Sequence, residues 1–141
     1  MRYLGIDFGE RRLGLAISDD MGRVATPLTT LVRTNDAQII AEITAVIETE
    51  EIGQLVLGEP RRLDGSRGDA AERVASFARK LEAATSLPIT LVDEALTTHQ
   101  AAARLAERPR SKRDLLDAVA AQIILQEALD GPLAQESPES R

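Results

Sequence analysis

Acidic residues at three places in this sequence could together bind a metal ion. Asp7 ends an apolar segment near the start of the chain, and Asp93 with Glu94 ends a later one. Both segments have the pattern of a strand, and ligands of α/β proteins collect at the carboxyl ends of strands. Neighbouring strand residues point to opposite faces, so only one of Asp93 and Glu94 can share a site with Asp7. The spacing leaves open which of the two it is.

The third acidic position, Asp117, lies in the last predicted helix. It falls within the apolar arc of that helix, beside Ile124 and Ala128, where a carboxylate is costly unless it is paired or bound to a metal. Asp114 lies in the first turn, where capping and the helix dipole explain an acid. Carboxylates without a Cys or His cluster are typical of Mg²⁺ or Mn²⁺ sites, and two such ions about 4 Å apart can hydrolyse a phosphodiester bond.

The composition excludes most other chemistries. The 141 residues include no Cys and one His, which excludes disulfides, thiolate nucleophiles and multi-His metal centres. Three aromatic residues leave little material for a base-stacking surface. No apolar run approaches the roughly 20 residues that span a bilayer. We expect a cytoplasmic protein that makes no contact with a membrane.

The apolar periodicity predicts the elements that position these acids. Strands are expected at 2–8, 12–19, 24–32, 55–57 and 89–92, and helices from Asn35 or Asp36, from Asp69, at 97–106 and at 111–130. Pro27 favours an edge position for the third strand. The order indicates an α/β domain over residues 1–130, with a mixed five-stranded sheet of three antiparallel strands followed by β-α-β units, flanked by helices. Residues 131–141 are expected to form a disordered tail.

The run DFGERRLGLAISD at residues 7–19 resembles the first motif of the YqgF (RuvX) family, which belongs to the RNase H-like superfamily and is related to the RuvC resolvases. Further matches follow in order up to about residue 130. They are Gly58 with Pro60, Asp64-Gly65-Ser66, Asp93-Glu94 with Leu96-Thr97-Thr98, Asp117 to Ala121, and Ile124-Leu125-Gln126.

The resemblance implies an RNase H-like fold and a metal-dependent endonuclease. It marks Asp7, Glu94 and Asp117 as the catalytic acids and metal ligands, and so favours Glu94 over Asp93. Asp114 is a secondary ligand candidate, because its spacing from Asp117 resembles the paired C-terminal acids of RuvC-type enzymes. Two positions depart from the family pattern. Ala95 stands where an Arg is usual, which removes a phosphate contact, and Glu59 stands where an apolar residue is usual.

Positive charge is concentrated in loops, although the chain has a net charge of −6. From Arg104 to Arg113 there are five bases against one acid. Arginine binds phosphate groups in a bidentate manner, so these loops predict a nucleic-acid partner. The candidates are Arg11, Arg12, Arg61, Arg62, Arg67, Arg104, Arg108, Arg110, Lys112 and Arg113.

The resemblance implies either of two substrates, and the acids do not decide between them. The first is the precursor of 16S rRNA, processed at its 5′ end. The second is a four-way DNA junction cut by a Holliday junction resolvase in recombination and repair, for which symmetric cutting would need a homodimer. A non-catalytic nucleic-acid-binding module is a more distant alternative. A phosphotransferase of the actin and sugar-kinase type is disfavoured, because it needs two such domains.

Overall fold

The computed structural model describes residues 1–9, 11–59, 69–93, 113–131 and 133. The described elements, in chain order, are β1 (Arg2–Phe8), β2 (Arg12–Ser18), β3 (Ala25–Val32), α1 (Asp36–Glu50), β4 (Ile52–Glu59), α2 (Asp69–Thr85), β5 (Ile89–Asp93) and α3 (Arg113–Asp130). The predicted short helix at 97–106 lies outside the described residues. None of the helices described is long and apolar enough to cross a membrane.

The strands form one five-stranded sheet in the order β3-β2-β1-β4-β5. The first three strands pair antiparallel, and β1, β4 and β5 run parallel. The predicted α/β class and mixed sheet are confirmed. Strand β3 lies at an edge, as Pro27 predicts, because proline has no N–H to donate to a second neighbour.

Large apolar side chains fill the face of the sheet that α1 and α2 cover. The Phe8 and Phe77 rings stack there with their centroids 4.6 Å apart. Residues of this core alternate along each strand with residues of the opposite face. Its fully buried members are Leu4, Ile6, Leu13, Leu15, Leu55, Leu57, Ile39, Ile43, Phe77 and Leu81.

Small residues line the opposite face, which α3 covers. A Cβ added at Gly5 would lie 2.7 Å from the Leu125 Cβ, so β1 and α3 approach each other closely only because this residue is glycine. The buried cluster between α3 and the sheet consists of Ala16, Ala25, Val56, Ala121, Ile124, Leu125, Ala128, Leu129 and Leu133. This packing draws the backbone of α3 towards the strands.

Local signals explain where the helices begin and end. The Asn35 side chain caps α1 by accepting a hydrogen bond of 2.9 Å from the Gln38 N–H. At the end of α3, the Leu133 N–H donates to the Ala128 carbonyl at 2.9 Å, and the Leu133 side chain is buried. Leu133, which falls within the predicted tail, therefore packs against α3. Residues 134–141 lie outside the described residues.

Candidate active site

Asp7 lies near the carboxyl end of the central strand, on the face that α3 covers. It pairs with Gly14 of β2, which in turn pairs with Thr30 of β3. On the other side, the register between β1 and β4 ends one residue before Asp7, and the next residue of β4 is Gly58, which pairs with Val92 of β5. Asp7 is thus half-buried and has glycine next to it on the antiparallel strand.

Helix α3 crosses the sheet in direct contact with Gly14. A Cβ at Gly14 would lie 1.8 Å from the Asp117 carbonyl oxygen and 2.2 Å from the Asp117 carbonyl carbon. No side chain fits between these two backbones, so this position requires glycine. Because Gly14 is paired with Asp7, the contact brings Asp117 to the strand position beside Asp7.

Arg12 lies on the same face of β2 as Gly14, two residues earlier. Its Nε donates a hydrogen bond of 2.8 Å to Oδ2 of Asp117. The Arg12 side chain is 38% exposed and that of Asp117 is 25% exposed, so the ion pair is only partly removed from water. The sequence suggested Arg12 as a nucleic-acid contact but gave no sign of this pairing. Strand alternation places Arg12 on the face of Gly14 but does not identify its partner.

The remaining acids are described only in part. Glu94 lies outside the described residues, and for Asp114 only the backbone, in the first turn of α3, is described. Val92 packs against the α3 cluster, whereas Ile89 packs against the core under α1 and α2. The face of β5 that looks towards α3 is therefore the face of Val92.

Among the predicted nucleic-acid contacts, Arg11 is exposed directly before β2, next to Arg12. Arg113 is the first residue of α3, with its backbone alone described. The other basic candidates lie outside the described residues, namely Arg61, Arg62, Arg67, Arg104, Arg108, Arg110 and Lys112.

Arg33 is a basic residue that lies at the same end of the strands as Asp7. It was not among the residues predicted from the sequence. Its guanidinium carbon lies 4.4 Å from the centroid of the Phe8 ring, a cation–π contact, and its Nη1 donates to the Gly9 carbonyl at 3.4 Å. Strand β3 runs in the same direction as β1, so Arg33 follows it at the edge where Asp7 lies. The sequence signal that could have identified Arg33 is its position directly after a predicted strand.

The chemistry of the donors suits a hard cation. Asp7 and Asp117 offer carboxylate oxygens, which Mg²⁺ and Mn²⁺ prefer as ligands. Within the described ranges, no group of three or more His, Cys, Asp or Glu side chains comes together. The described part of the site therefore contributes two carboxylates and the Arg12 guanidinium.

A second polar cluster lies at the other end of the central strand, where β1 begins. Arg2 forms ion pairs with Asp20 at 2.6 Å and with Glu50 at 3.1 Å. The pKa of Arg2 is raised above its ordinary value. The larger cause is the hydrogen bond to Asp20, and the negative charge of Asp20 is the second cause. Nearby, the Val24 and Arg23 N–H groups donate to Asp19 and lower its pKa. These acids lie far along the strands from Asp7.

A family model described as RuvX, Holliday junction resolvase, matches residues 1–131. The chain belongs to the RuvX family. The resemblance that the sequence motifs indicated is thereby confirmed, and with it the prediction of a nuclease, a hydrolase that acts on nucleic acid. The site described above is thus that of a RuvX family member.

Curated relatives of this RuvX protein match over nearly the whole chain. A protein of Syntrophus aciditrophicus is 40% identical over 141 residues, with 98% of this chain and 94% of the relative covered. A protein of Anaeromyxobacter sp. is 45% identical over 135 residues, with 93% and 98% covered. Both bear the name "Putative pre-16S rRNA nuclease".

Solved structures similar to this RuvX protein show the same fold at low sequence identity. RuvC of T. thermophilus, in complex with Holliday junction substrate, has a TM-score of 0.58 at 18% identity, with 94% of this chain and 96% of that chain covered. The yeast mitochondrial Holliday junction resolvase has a TM-score of 0.53 at 12% identity, with 98% and 81% covered. The RNase H-like architecture is confirmed.

Proposed function

We propose that this RuvX protein is a metal-dependent endonuclease that processes the 5′ end of pre-16S rRNA, with Asp7, Glu94 and Asp117 as its catalytic acids. The observation that carries the proposal is the contact of Gly14 with the Asp117 backbone, because it brings two carboxylate residues together on one face of the sheet. The names of the relatives at 40% and 45% identity support the substrate. We also propose a cytoplasmic location, which is consistent with an rRNA substrate.

Asp7 and Asp117 supply two of the three acids. Glu94 is proposed as the third because Val92 lies on the face covered by α3 and Glu94 comes two residues later in the sequence, which is the period of a strand. Asp114 is a secondary ligand candidate, since it precedes Asp117 by about one helical turn.

The proposed cofactor is Mg²⁺ or Mn²⁺, held by these carboxylates as a pair of ions. When bound, such ions supply an activated water and stabilise the leaving oxygen of the phosphodiester. The carboxylates of Asp7 and Asp117 would orient the ions from the strand and the helix that carry them. Exposed Arg11, together with the arginine-rich segments around residues 61–67 and 104–113, would bind the phosphates of the nucleic acid.

A four-way DNA junction is the second candidate substrate. It is favoured by the family description and by the presence of a junction-bound RuvC among the structures that share the fold. Symmetric cleavage of such a junction would require two active sites, and hence a homodimer. The first prediction tests both substrates.

The first prediction compares cleavage of a 5′-extended 16S rRNA fragment and of a four-way DNA junction, each in the presence of Mn²⁺. Asp7→Asn and Asp117→Asn should each slow cleavage by about 100-fold or more, which corresponds to about 2.7 kcal/mol of lost transition-state stabilisation. Asp20→Asn is the matched control, because Asp20 is an exposed aspartate at the other end of the central strand. This control should leave the rate unchanged.

Circular dichroism and the melting temperature establish that each variant is folded. Equal cleavage by wild type and Asp117→Asn would overturn the proposed site. Cleavage of the junction alone, by a protein whose solution mass is that of a dimer, would replace the rRNA proposal with the resolvase. Binding of both substrates without cleavage, at any Mn²⁺ concentration, would favour the non-catalytic module.

A further inference from the structure

The Arg12 guanidinium is a cation that the chain itself places against a proposed metal ligand. Its Nε lies 2.8 Å from Oδ2 of Asp117, and both side chains come from elements that Gly14 holds in backbone contact. Asp7 is paired with Gly14, so a second carboxylate lies beside the same contact. Arg12 is therefore a positive charge on the same face of the sheet as two carboxylates, whose negative charges repel each other.

The Arg12–Asp117 ion pair is only partly removed from water. Side-chain exposures of 38% and 25% leave water on both partners, and a pair in that setting holds its geometry without being locked in place. A divalent ion bound to the Asp117 carboxylate would be repelled by the nearby Arg12 guanidinium. Arg12 and a metal ion would therefore compete for this carboxylate.

We propose that Arg12 is a positioning residue that acts as the counter-cation of the site: it holds the Asp117 carboxylate while no metal is bound and releases it when a divalent ion binds. The released guanidinium is then available to a phosphate of the nucleic acid, which it can bind in a bidentate manner. The inference rests on the proposed metal-dependent function and adds a role for Arg12 that precedes phosphate binding.

The exchange predicts that loss of Arg12 strengthens metal binding. Arg12→Gln should melt at a lower temperature than wild type in EDTA, because the Asp117 carboxylate then loses its ion pair with Arg12. The same variant should bind Mn²⁺ about tenfold more tightly in isothermal titration calorimetry, since the ion no longer displaces an arginine or meets its charge. Cleavage should nevertheless slow, because the phosphate contact is lost. Tighter metal binding with slower cleavage is the signature of this role.

Two further variants sharpen the measurement. Arg11→Gln makes the same change of charge at the adjacent exposed residue, and should alter the Mn²⁺ dissociation constant by less than about twofold. Arg12→Lys keeps the charge but lacks the Nε donor, so its metal affinity should lie between those of wild type and Arg12→Gln. It also supplies the answer if Arg12→Gln does not fold.

The outcomes separate this inference from the proposed function. A purely structural Arg12 would give an Arg12→Gln variant that is less stable and binds Mn²⁺ equally or more weakly, which would overturn the counter-cation role alone. If wild type and Arg11→Gln bind no Mn²⁺ in the calorimeter, the proposed metal-dependent function and this inference both fail. An Arg12→Lys affinity equal to that of Arg12→Gln would also overturn the counter-cation role, because the positive charge that lysine keeps would then not compete with the ion.

Discussion

The two faces of the sheet are packed by opposite means. Under α1 and α2, large side chains such as Phe8, Phe77 and Ile43 fill the space between helix and strand. Under α3, the strands present Gly5 and Gly14, and the helix backbone touches the sheet directly. Large side chains separate α1 and α2 from the strands, whereas at Gly14 the backbone of α3 lies directly against β2.

The difference explains why Asp7 and Asp117 lie on the face that α3 covers. An aspartate side chain is short, so carboxylates from a strand and a helix can share an ion only if the two backbones are close together. The glycine face provides this closeness, and Asp7 and Asp117 are found there. The face packed with large side chains contributes stability, because burial of apolar surface is worth roughly 25 cal/mol per Å². The face under α1 and α2 has no part in the proposed chemistry, whereas the face under α3 combines an apolar cluster of its own with the proposed metal ligands.

The largest effect on stability should come from Phe77→Ala, on the face under α1 and α2. Phe77 is fully buried and stacks on Phe8, so its truncation should lower the free energy of unfolding by about 4 kcal/mol. Urea denaturation measures this loss. The Mn²⁺ affinity of the folded protein should not change. Arg79→Ala, at an exposed position on α2, is the control and should alter stability by less than about 0.5 kcal/mol. A large change in metal affinity in Phe77→Ala would break the division between the faces.

Gly14→Ala should produce the next largest loss of stability, and unlike Phe77→Ala it should also weaken metal binding. The new methyl group would meet the Asp117 carbonyl, so α3 must move away, at about 3 kcal/mol. Calorimetry should also show weaker Mn²⁺ binding, because Asp117 moves with its helix. In Gly53→Ala the added Cβ would lie 2.8 Å from Cγ of the exposed Met1 side chain, which can move, and this control should be nearly neutral. Unchanged metal affinity in Gly14→Ala would contradict the role given to this contact.

A smaller effect is expected from Gln126→Ala, farther along α3. The Gln126 amide accepts from the Ala25 N–H at 2.9 Å and donates to the Arg23 carbonyl at 2.9 Å, so it ties the helix to the start of β3. Its removal leaves a buried N–H unpaired and should cost about 1–2 kcal/mol in urea denaturation. The affinity for Mn²⁺ should not change, because the contact at Gly14 still positions the first turns of α3. Glu127→Ala, at the exposed neighbouring position, serves as the control. A loss of metal affinity here would mean that the whole helix, and not the Gly14 contact, positions Asp117.

Sequence patterns sufficed for the sheet because they are local. Pro27 predicted an edge strand, and the alternation around Leu4 and Ile6 predicted a strand with two different faces. The Arg12–Asp117 pair could not be predicted in this way, since its partners are 105 residues apart and meet only through the packing of α3. Gly14 carries no local signal that distinguishes a helix contact from a turn or a bulge. The choice of Glu94 over Asp93 came from family resemblance and remains a prediction.

The 105-residue separation within the Arg12–Asp117 pair also orders events during synthesis. All five strands have been synthesised by residue 93, whereas α3 begins only at residue 113. Translation proceeds at about 5–20 residues per second, so α3 is synthesised a few seconds after the last strand. A nascent chain in that interval contains Asp7 but not Asp117. If both acids are required, the growing polypeptide cannot cut RNA until its last described helix has docked.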